Sequence, residues 1–322
     1  MIRTLYHSDG TTRRIHLGGW RRQNSDSRDE AYRLRASPLV SLSPELDLRA
    51  SCSPIEDQGD EGSCTAHGFA GAIELNEHAK WAKLAGSLKT ALPTVTTSSI
   101  AVAQDGSISF ATTVHPAATP TPVPPTPPTP PTPPTPPTPP APTAMRVSRA
   151  FEYWMARFIE GTTAEDNGAT VRDAIQAGVK YGILDEALMP YTAGQYAIPP
   201  TAAQKTAALA RKVTSYHAVS DGDINGMKTA LSSGFAVVFG FQCYDYMLSA
   251  QMASTGILKL PTASESLQGG HCVDIVGYSD SKQMVICRNS WGIGWGQAGY
   301  FWMPYAYVGN TRLASDFWVI VS

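Results

Sequence analysis

Several things are scarce in this chain. Charge of one sign is one: 25 Lys and Arg face 27 Asp and Glu in 322 residues, a formal net of −2. Such a balance gives no field for a general nucleic-acid or membrane binder, and neither partner is expected. Long apolar runs are also missing; none approaches the roughly 20 residues of a membrane span. The opening Met1-Ile2-Arg3-Thr4-Leu5-Tyr6-His7-Ser8-Asp9 lacks the uninterrupted apolar core of a signal peptide. A cytoplasmic location is therefore expected, with release by lysis or a non-classical route left open. Cysteines are few and odd in number, at 52, 64, 243, 272 and 287, so at least one cannot pair within the chain. That pattern fits a reducing compartment better than a stapled secreted domain.

What is present is a core and a reactive centre. With 43% hydrophobic residues the chain can fill one large domain or two small ones. The loop Gln58-Gly59-Asp60-Glu61-Gly62-Ser63-Cys64 runs into helical apolar spacing at Ala66, Phe69, Ala70 and Ile73, which places Cys64 at a helix start. A helix N-terminus favours thiolate over thiol, and its free N–H groups, with the Gln58 amide, suit a developing oxyanion. Two later stretches supply partners: Gly269-Gly270-His271-Cys272-Val273-Asp274, and Arg288-Asn289-Ser290-Trp291-Gly292-Ile293-Gly294-Trp295-Gly296. A thiolate beside an imidazolium is one way to attack a peptide bond, with the imidazolium then protonating the leaving amine.

In their order, and in the words around each residue, Gln58, Cys64, His271 and Asn289 resemble the papain family of cysteine peptidases, in its bacterial or phage-type branch. The resemblance implies an α+β, two-lobed fold: a helical lobe, an antiparallel β-barrel-like lobe, and an active site in the cleft between them. It also implies a Cys64–His271–Asn289 catalytic set, Gln58 in the oxyanion hole, Trp291 shielding the His–Asn hydrogen bond, and no cofactor or metal. Asn167 and Gly168 fall where the family's loop pairs with substrate; Gly168, lacking a side chain, admits an extended peptide closely. Two positions depart from the family. Glu61 stands where secreted relatives usually have a disulfide cysteine, and Thr65 where a tryptophan commonly follows the nucleophile. If His271 faces Asn289 across an antiparallel pair, Cys287 shares that face and Cys272 points away, so the two are expected unpaired.

The domain match begins near Pro44-Glu45-Leu46-Asp47-Leu48-Arg49, and residues 44–322 are expected to form the peptidase domain. Residues 1–43 are an Arg-rich leader (Arg3, Arg13, Arg14, Arg21, Arg22, Arg28, Arg33, Arg35) with Trp20 and Tyr32. It reads as a poorly ordered tail that wraps the domain or as a plug in or beside the cleft, and is expected to restrain activity. The helix from Cys64 is expected to reach about Leu84. Residues 87–144 interrupt the pattern, with a hairpin around Asp105-Gly106 and then a Thr-Pro-Pro tract from Pro116 to Pro142. Proline fixes φ and removes a donor, so this tract reads as extended polyproline II, a spacer, display arm or docking ligand for a partner. Beyond it, helices are expected at 148–159, 171–181 and 224–232. Strands are expected at 235–241, 271–278, 283–289, 300–304 and 317–322.

Rival readings accompany each assignment. His67, one turn along the helix from Cys64, is a local alternative base; otherwise it is a core histidine, and His78 a surface one. Acyl transfer to an amine would use the same residues as hydrolysis. A non-catalytic module displaying the proline-rich arm is the reading from a different class.

Overall fold

A computed structural model of the chain describes residues 1–24, 26, 42–91, 101–102, 108–109 and 146–322. They fall into two units, Met1–Ala82 with Ala144–Ser322, and Lys83–Thr143. In chain order the elements are β1 (Ile2–Tyr6), β2 (Thr12–His16), β3 (Glu45–Asp47), α1 (Cys64–Ala91), β4 (Ala101–Val102), β5 (Ile108–Ser109), α2 (Arg149–Glu160) and α3 (Val171–Lys180). There follow α4 (Ala202–Ala208), β6 (Ser215–Val219), α5 (Ile224–Ser232), β7 (Val237–Tyr244), α6 (Ala250–Thr255), β8 (Leu267–Ser279), β9 (Met284–Arg288), β10 (Tyr300–Pro304), α7 (Tyr305–Val308) and β11 (Ala314–Val321). In the second unit β4 and β5 pair antiparallel, inside the expected hairpin. The Thr-Pro-Pro tract lies outside the described residues.

Local chemistry accounts for the helix ends. The Ser148 hydroxyl accepts from Phe151 N and Thr170 from Asp173 N, each satisfying a free N–H of a first turn. α2 stops at Gly161 with φ 73, the left-handed cap that glycine adopts without strain. α1 continues past Leu84 because the single Gly86 costs only about 1 kcal/mol in a helix.

Seven strands form one antiparallel sheet in the order β10-β9-β8-β7-β11-β6, with β3 beside β8. The barrel-like lobe is thus an open path whose end strands β10 and β6 do not pair. Bulges at Cys243/Tyr244, Ser315/Trp318 and Ile275/Gly277 bend its strands locally. Alternation along β7 sends Val237, Phe239 and Phe241 to one core, with Val273, Trp291, Trp295 and Phe301. Val238 faces the other, with Phe69, Ile73, Ile175 and Trp318. That second core is where the helices meet the sheet.

The first seventeen residues of the leader are ordered rather than a loose tail. β1 and β2 form a hairpin whose Leu5, Ile15 and Leu17 are fully buried in the core with Phe241 and Trp295. Ser8 N donates to Gly294 O at 2.9 Å. Residues 1–17 are therefore part of the folded unit. All five cysteines are free; Cys272 and Cys287 belong to the cores on opposite sheet faces, as side-chain alternation requires.

Candidate active site

Cys64 opens α1, and the loop before it is tied down along its length. Gln58 N donates to Ser290 O at 2.9 Å, and Asp57 bridges Trp291. The Tyr191 hydroxyl donates to Gln58 O at 2.8 Å and lies 2.7 Å from Ser63 Oγ. Gly62 N donates to the Asp166 carboxylate at 2.9 Å. Behind the loop, α1 comes close to the sheet at Gly71, where a Cβ would fall 2.1 Å from Arg288 Nη1 and 2.3 Å from Asp274 Oδ2. Cys64 itself is 1% exposed. Burial pushes the Cys64 thiol up to about 12, opposed by backbone N–H groups of Cys272 and Thr65.

His271 lies on β8, and Asn289 follows β9 at once. Asp274 pairs with Arg288 in the ladder, and this register brings His271 Nε2 to 2.8 Å from Asn289 Oδ1. Ser290 N also donates to that oxygen, at 2.9 Å, so Oδ1 is the acceptor and the imidazole Nε2–H the donor. The neutral ring then presents a lone pair at Nδ1, an atom with no hydrogen-bond partner among the described residues. Trp291 stacks on the ring at 4.6 Å and 26°, with Trp295 edge-on behind it at 4.9 Å. Burial lowers the His271 pKa to about 4 while the Asn289 bond works against that. Ser290 Oγ donates to Gln58 Oε1 at 2.6 Å, and Gln58 Nε2 donates to Glu61 O at 2.9 Å. The amide orientation is therefore set by the residue next to Asn289.

The profile of the papain family cysteine proteases matches residues 160–319, a span that holds His271 and Asn289 but starts beyond the insertion that follows Cys64. Xylellain, a cysteine protease from Xylella fastidiosa, is similar along nearly the whole chain: 30% identity, TM-score 0.70, covering 96% of this chain and 98% of that one. The chain belongs to the papain family of cysteine proteases. Sequence relatives agree over shorter spans. An uncharacterized peptidase C1-like protein of Acanthamoeba polyphaga mimivirus is 39% identical over 54% of this chain and 58% of its own length. Cysteine proteinase 3 of Entamoeba histolytica is 37% identical over 28% of this chain and 29% of its own. The matches thus span about half or less of those relatives.

In this papain-family cleft the chain's own leader occupies the space over Cys64. Gly18 N donates to Gly270 O at 2.9 Å, Ala169 N to Gly19 O at 2.9 Å, and Arg21 N to Ala169 O at 3.2 Å. Two residues flanking Trp20 thus serve one residue opposite, the pattern of a parallel pair, and Trp20 bridges Ala169 in that sense. Only glycine fits at 19: a Cβ there would lie 2.5 Å from Gly62 O and 2.9 Å from Cys64 Sγ. We call residues 18–24 the strap. Its Trp20 is 4% exposed and shares a core with Cys64, Ala169, Val238 and Trp318.

The remaining expected residues sort clearly. Gly168 faces the strap, a Cβ on it falling 2.3 Å from Gly19 O, but Ala169 makes the backbone pairing. Asn167 turns outward, its amide on the Glu165 carboxylate. His67 Nδ1 sits 3.1 Å from Ser63 O, its ring edge-on to Tyr191; burial holds its pKa well below the ordinary value, as for a core histidine. Glu61 is buried and accepts from Gly194 N at 2.8 Å, so a hydrogen bond ties down the position where secreted relatives usually have a disulfide. Sequence reasoning passed over Asp166, which accepts from Gly62 N and Tyr153 Oη and pairs with His16 at 2.9 Å. Asp316 was also missed. Neither lies in a motif, because their partners come from distant segments.

Proposed function

We propose that the chain is a cysteine endopeptidase that cuts peptide bonds through a thioester on Cys64. The observation that carries this reading is the His271 ring: stacked under Trp291, tied to Asn289 through Nε2, and with its Nδ1 lone pair uncommitted. In the reaction Cys64 Sγ attacks the scissile carbonyl carbon and its proton passes to His271 Nδ1. The oxyanion is received by the Cys64 backbone N–H and the Gln58 amide. His271 then protonates the leaving amine, giving the thioester. Water, deprotonated by the same nitrogen, attacks the thioester and releases the acid and free thiol. Asn289 keeps the ring in one orientation without competing for its charge, since the thiolate is already its counter-ion.

In the strapped state Cys64 is a thiol and His271 a neutral imidazole, because burial disfavours both charges. The strap thus restrains activity in two ways, by filling the substrate's path and by keeping water from an ion pair that needs it. Substrate is a peptide or protein chain that displaces the strap or arrives after it has moved. Replacement Cys64→Ala tests the assignment: peptide cleavage should fall by roughly 10⁵-fold or more. Cleavage that survives the substitution, or failure of a thiol-directed epoxide to label Cys64 once the strap is dislodged, would overturn it.

A further inference from the structure

A cavity of about 10 Å³ lies beside Asn289, close to the least that a single buried water needs. His67 and Gly68 of α1, Asp274 of β8, Arg288 of β9 and Asn289 after it all line this space. His67, Asp274 and Asn289 are buried. Each has a polar atom with no hydrogen-bond partner among the described residues: His67 Nε2, Asp274 Oδ1 and Asn289 Nδ2. Buried polar groups are nearly always satisfied, by protein or by ordered water.

The three atoms are chemically complementary. His67 Nδ1 lies 3.1 Å from Ser63 O, a carbonyl that only accepts, so the proton is on Nδ1 and Nε2 carries a lone pair. Burial and the neighbouring Arg149 and Arg288 hold the His67 pKa well below its ordinary value, which keeps that lone pair free of a proton. Asp274 turns Oδ2 toward Arg288 Nη1 at 3.8 Å. Its Oδ1 lies over Gly68, 3.3 Å from where a Cβ would fall. Burial pushes this carboxyl up while Arg288 and Arg149 oppose it; ionised, Oδ1 accepts from a water, and protonated there it donates to one. The Asn289 oxygen is taken by the His271 ring and by Ser290 N, so the amide offers its NH2 to the cavity. One water meets all three groups, donating to Nε2 and accepting from Nδ2. Three bonds are the usual number for a buried water.

The consequence reaches the reacting ring. His271 Nε2–H needs an acceptor on Asn289, and a turn of the amide about Cβ–Cγ would put NH2 there instead. An NH2 left unpaired in a buried site is costly and favours such a turn; a water that receives it holds the amide as it is. We propose that His67 is a positioning residue of the peptidase: with Asp274 it holds a single water on Asn289 Nδ2, and through that water the orientation of the His271 ring. This rests on the peptidase reading above, and the arms of the test separate the two.

A crystal structure of the full-length chain should show one water within about 3.2 Å of all three atoms. A dry cavity, or a water that leaves Asn289 Nδ2 unbonded, overturns the proposal. Full-length chain carrying Trp20→Ala supplies the kinetic arm. There His67→Phe, which keeps a flat ring but removes both nitrogens, should lower kcat for peptide cleavage with KM within about twofold. The expected loss is roughly ten- to a hundredfold, the cost of removing an outer orienting partner at metal-bound histidines. His67→Gln, whose Oε1 accepts, should recover most of that loss, as a merely structural role would not. Labelling of Cys64 by a thiol-directed epoxide needs the same ring but no peptide, and should slow in parallel. His67→Leu takes the place of His67→Phe if that chain does not melt cooperatively. Unchanged kcat and labelling in a folded variant without the acceptor, or a loss that His67→Gln does not recover, overturns the positioning role and spares the peptidase. Absence of cleavage by the Trp20→Ala chain while Cys64 is labelled overturns the peptidase reading, and the labelling rates then decide the positioning role.

Discussion

Replacing Trp20 by alanine is expected to expose Cys64. A buried tryptophan side chain removes some 150–250 Å² from water, which at about 25 cal/mol per Å² is roughly 4–6 kcal/mol. Aromatic-to-alanine changes in cores cost about 3–5 kcal/mol in practice, and the N–H bond to Asp316 is lost with the ring. The strap's three backbone bonds to Gly270 and Ala169 survive the substitution, so the change bears on how firmly the strap seats. Taking about 4 kcal/mol, the open-to-seated ratio rises by roughly 10³ at 1.4 kcal/mol per factor of ten. Reaction at the sulfur scales with the open fraction. The assay is the rate of inactivation by a thiol-directed epoxide under identical conditions for parent and variant, with adduct mass confirming Cys64. Acceleration of at least a hundredfold is expected. A rise under about threefold in a variant that still unfolds cooperatively would refute the strap as the barrier.

Two further outcomes follow from the same geometry. Glu61 is pushed up to about 7 by burial, so folding favours its protonated form; that contribution is complete below its ordinary value near 4.5 and is lost as pH rises through about 7. Glu61→Gln should flatten this dependence and leave the protein more stable than the parent at pH 8.5 by up to about 3 kcal/mol. Urea unfolding at pH 4.5 and 8.5 reads it, and equal pH slopes would contradict it. Starting the chain at Pro44 removes Leu5, Ile15 and Leu17, each 0% exposed; at about 1.5–3 kcal/mol apiece this approaches the roughly 5–15 kcal/mol total of a typical domain. The truncated chain should fail to fold while strap substitutions do not, and a native-like cooperative melt from it would show the hairpin to be dispensable.

Periodicity and capping chemistry located most of the helices and strands because those signals are local. The helix over 224–232 and the strand over 300–304 match in full, and α2 starts from its Ser148 cap. The leader hairpin was not legible. Its apolar residues are sparse, with just Leu5, Ile15 and Leu17 turned inward, and a two-stranded ribbon takes its stability from what it packs against. β6 and α4 escaped for a similar reason, since each turns a single residue fully inward, Val219 and Ala208. At the cleft, Gln58, Cys64, His271 and Asn289 each stood inside a recognisable word. Asp166, Gly240 and Asp316 did not.

By itself the sequence determined the chemistry: a cysteine at a helix start, a histidine on a strand, an asparagine before Ser-Trp-Gly, and the family to which that order belongs. Tertiary structure alone decided the state of that chemistry. It put Gly19 on the sulfur, Trp20 in a slot between two glycines, Gly240 and Gly270, and the Asp316 carboxylate from β11 on the indole N–H. The reason is physical. Each proposed catalytic residue is marked by its neighbours in the chain, whereas the strap's contacts join residues up to 296 positions apart and exist only once the sheet has formed.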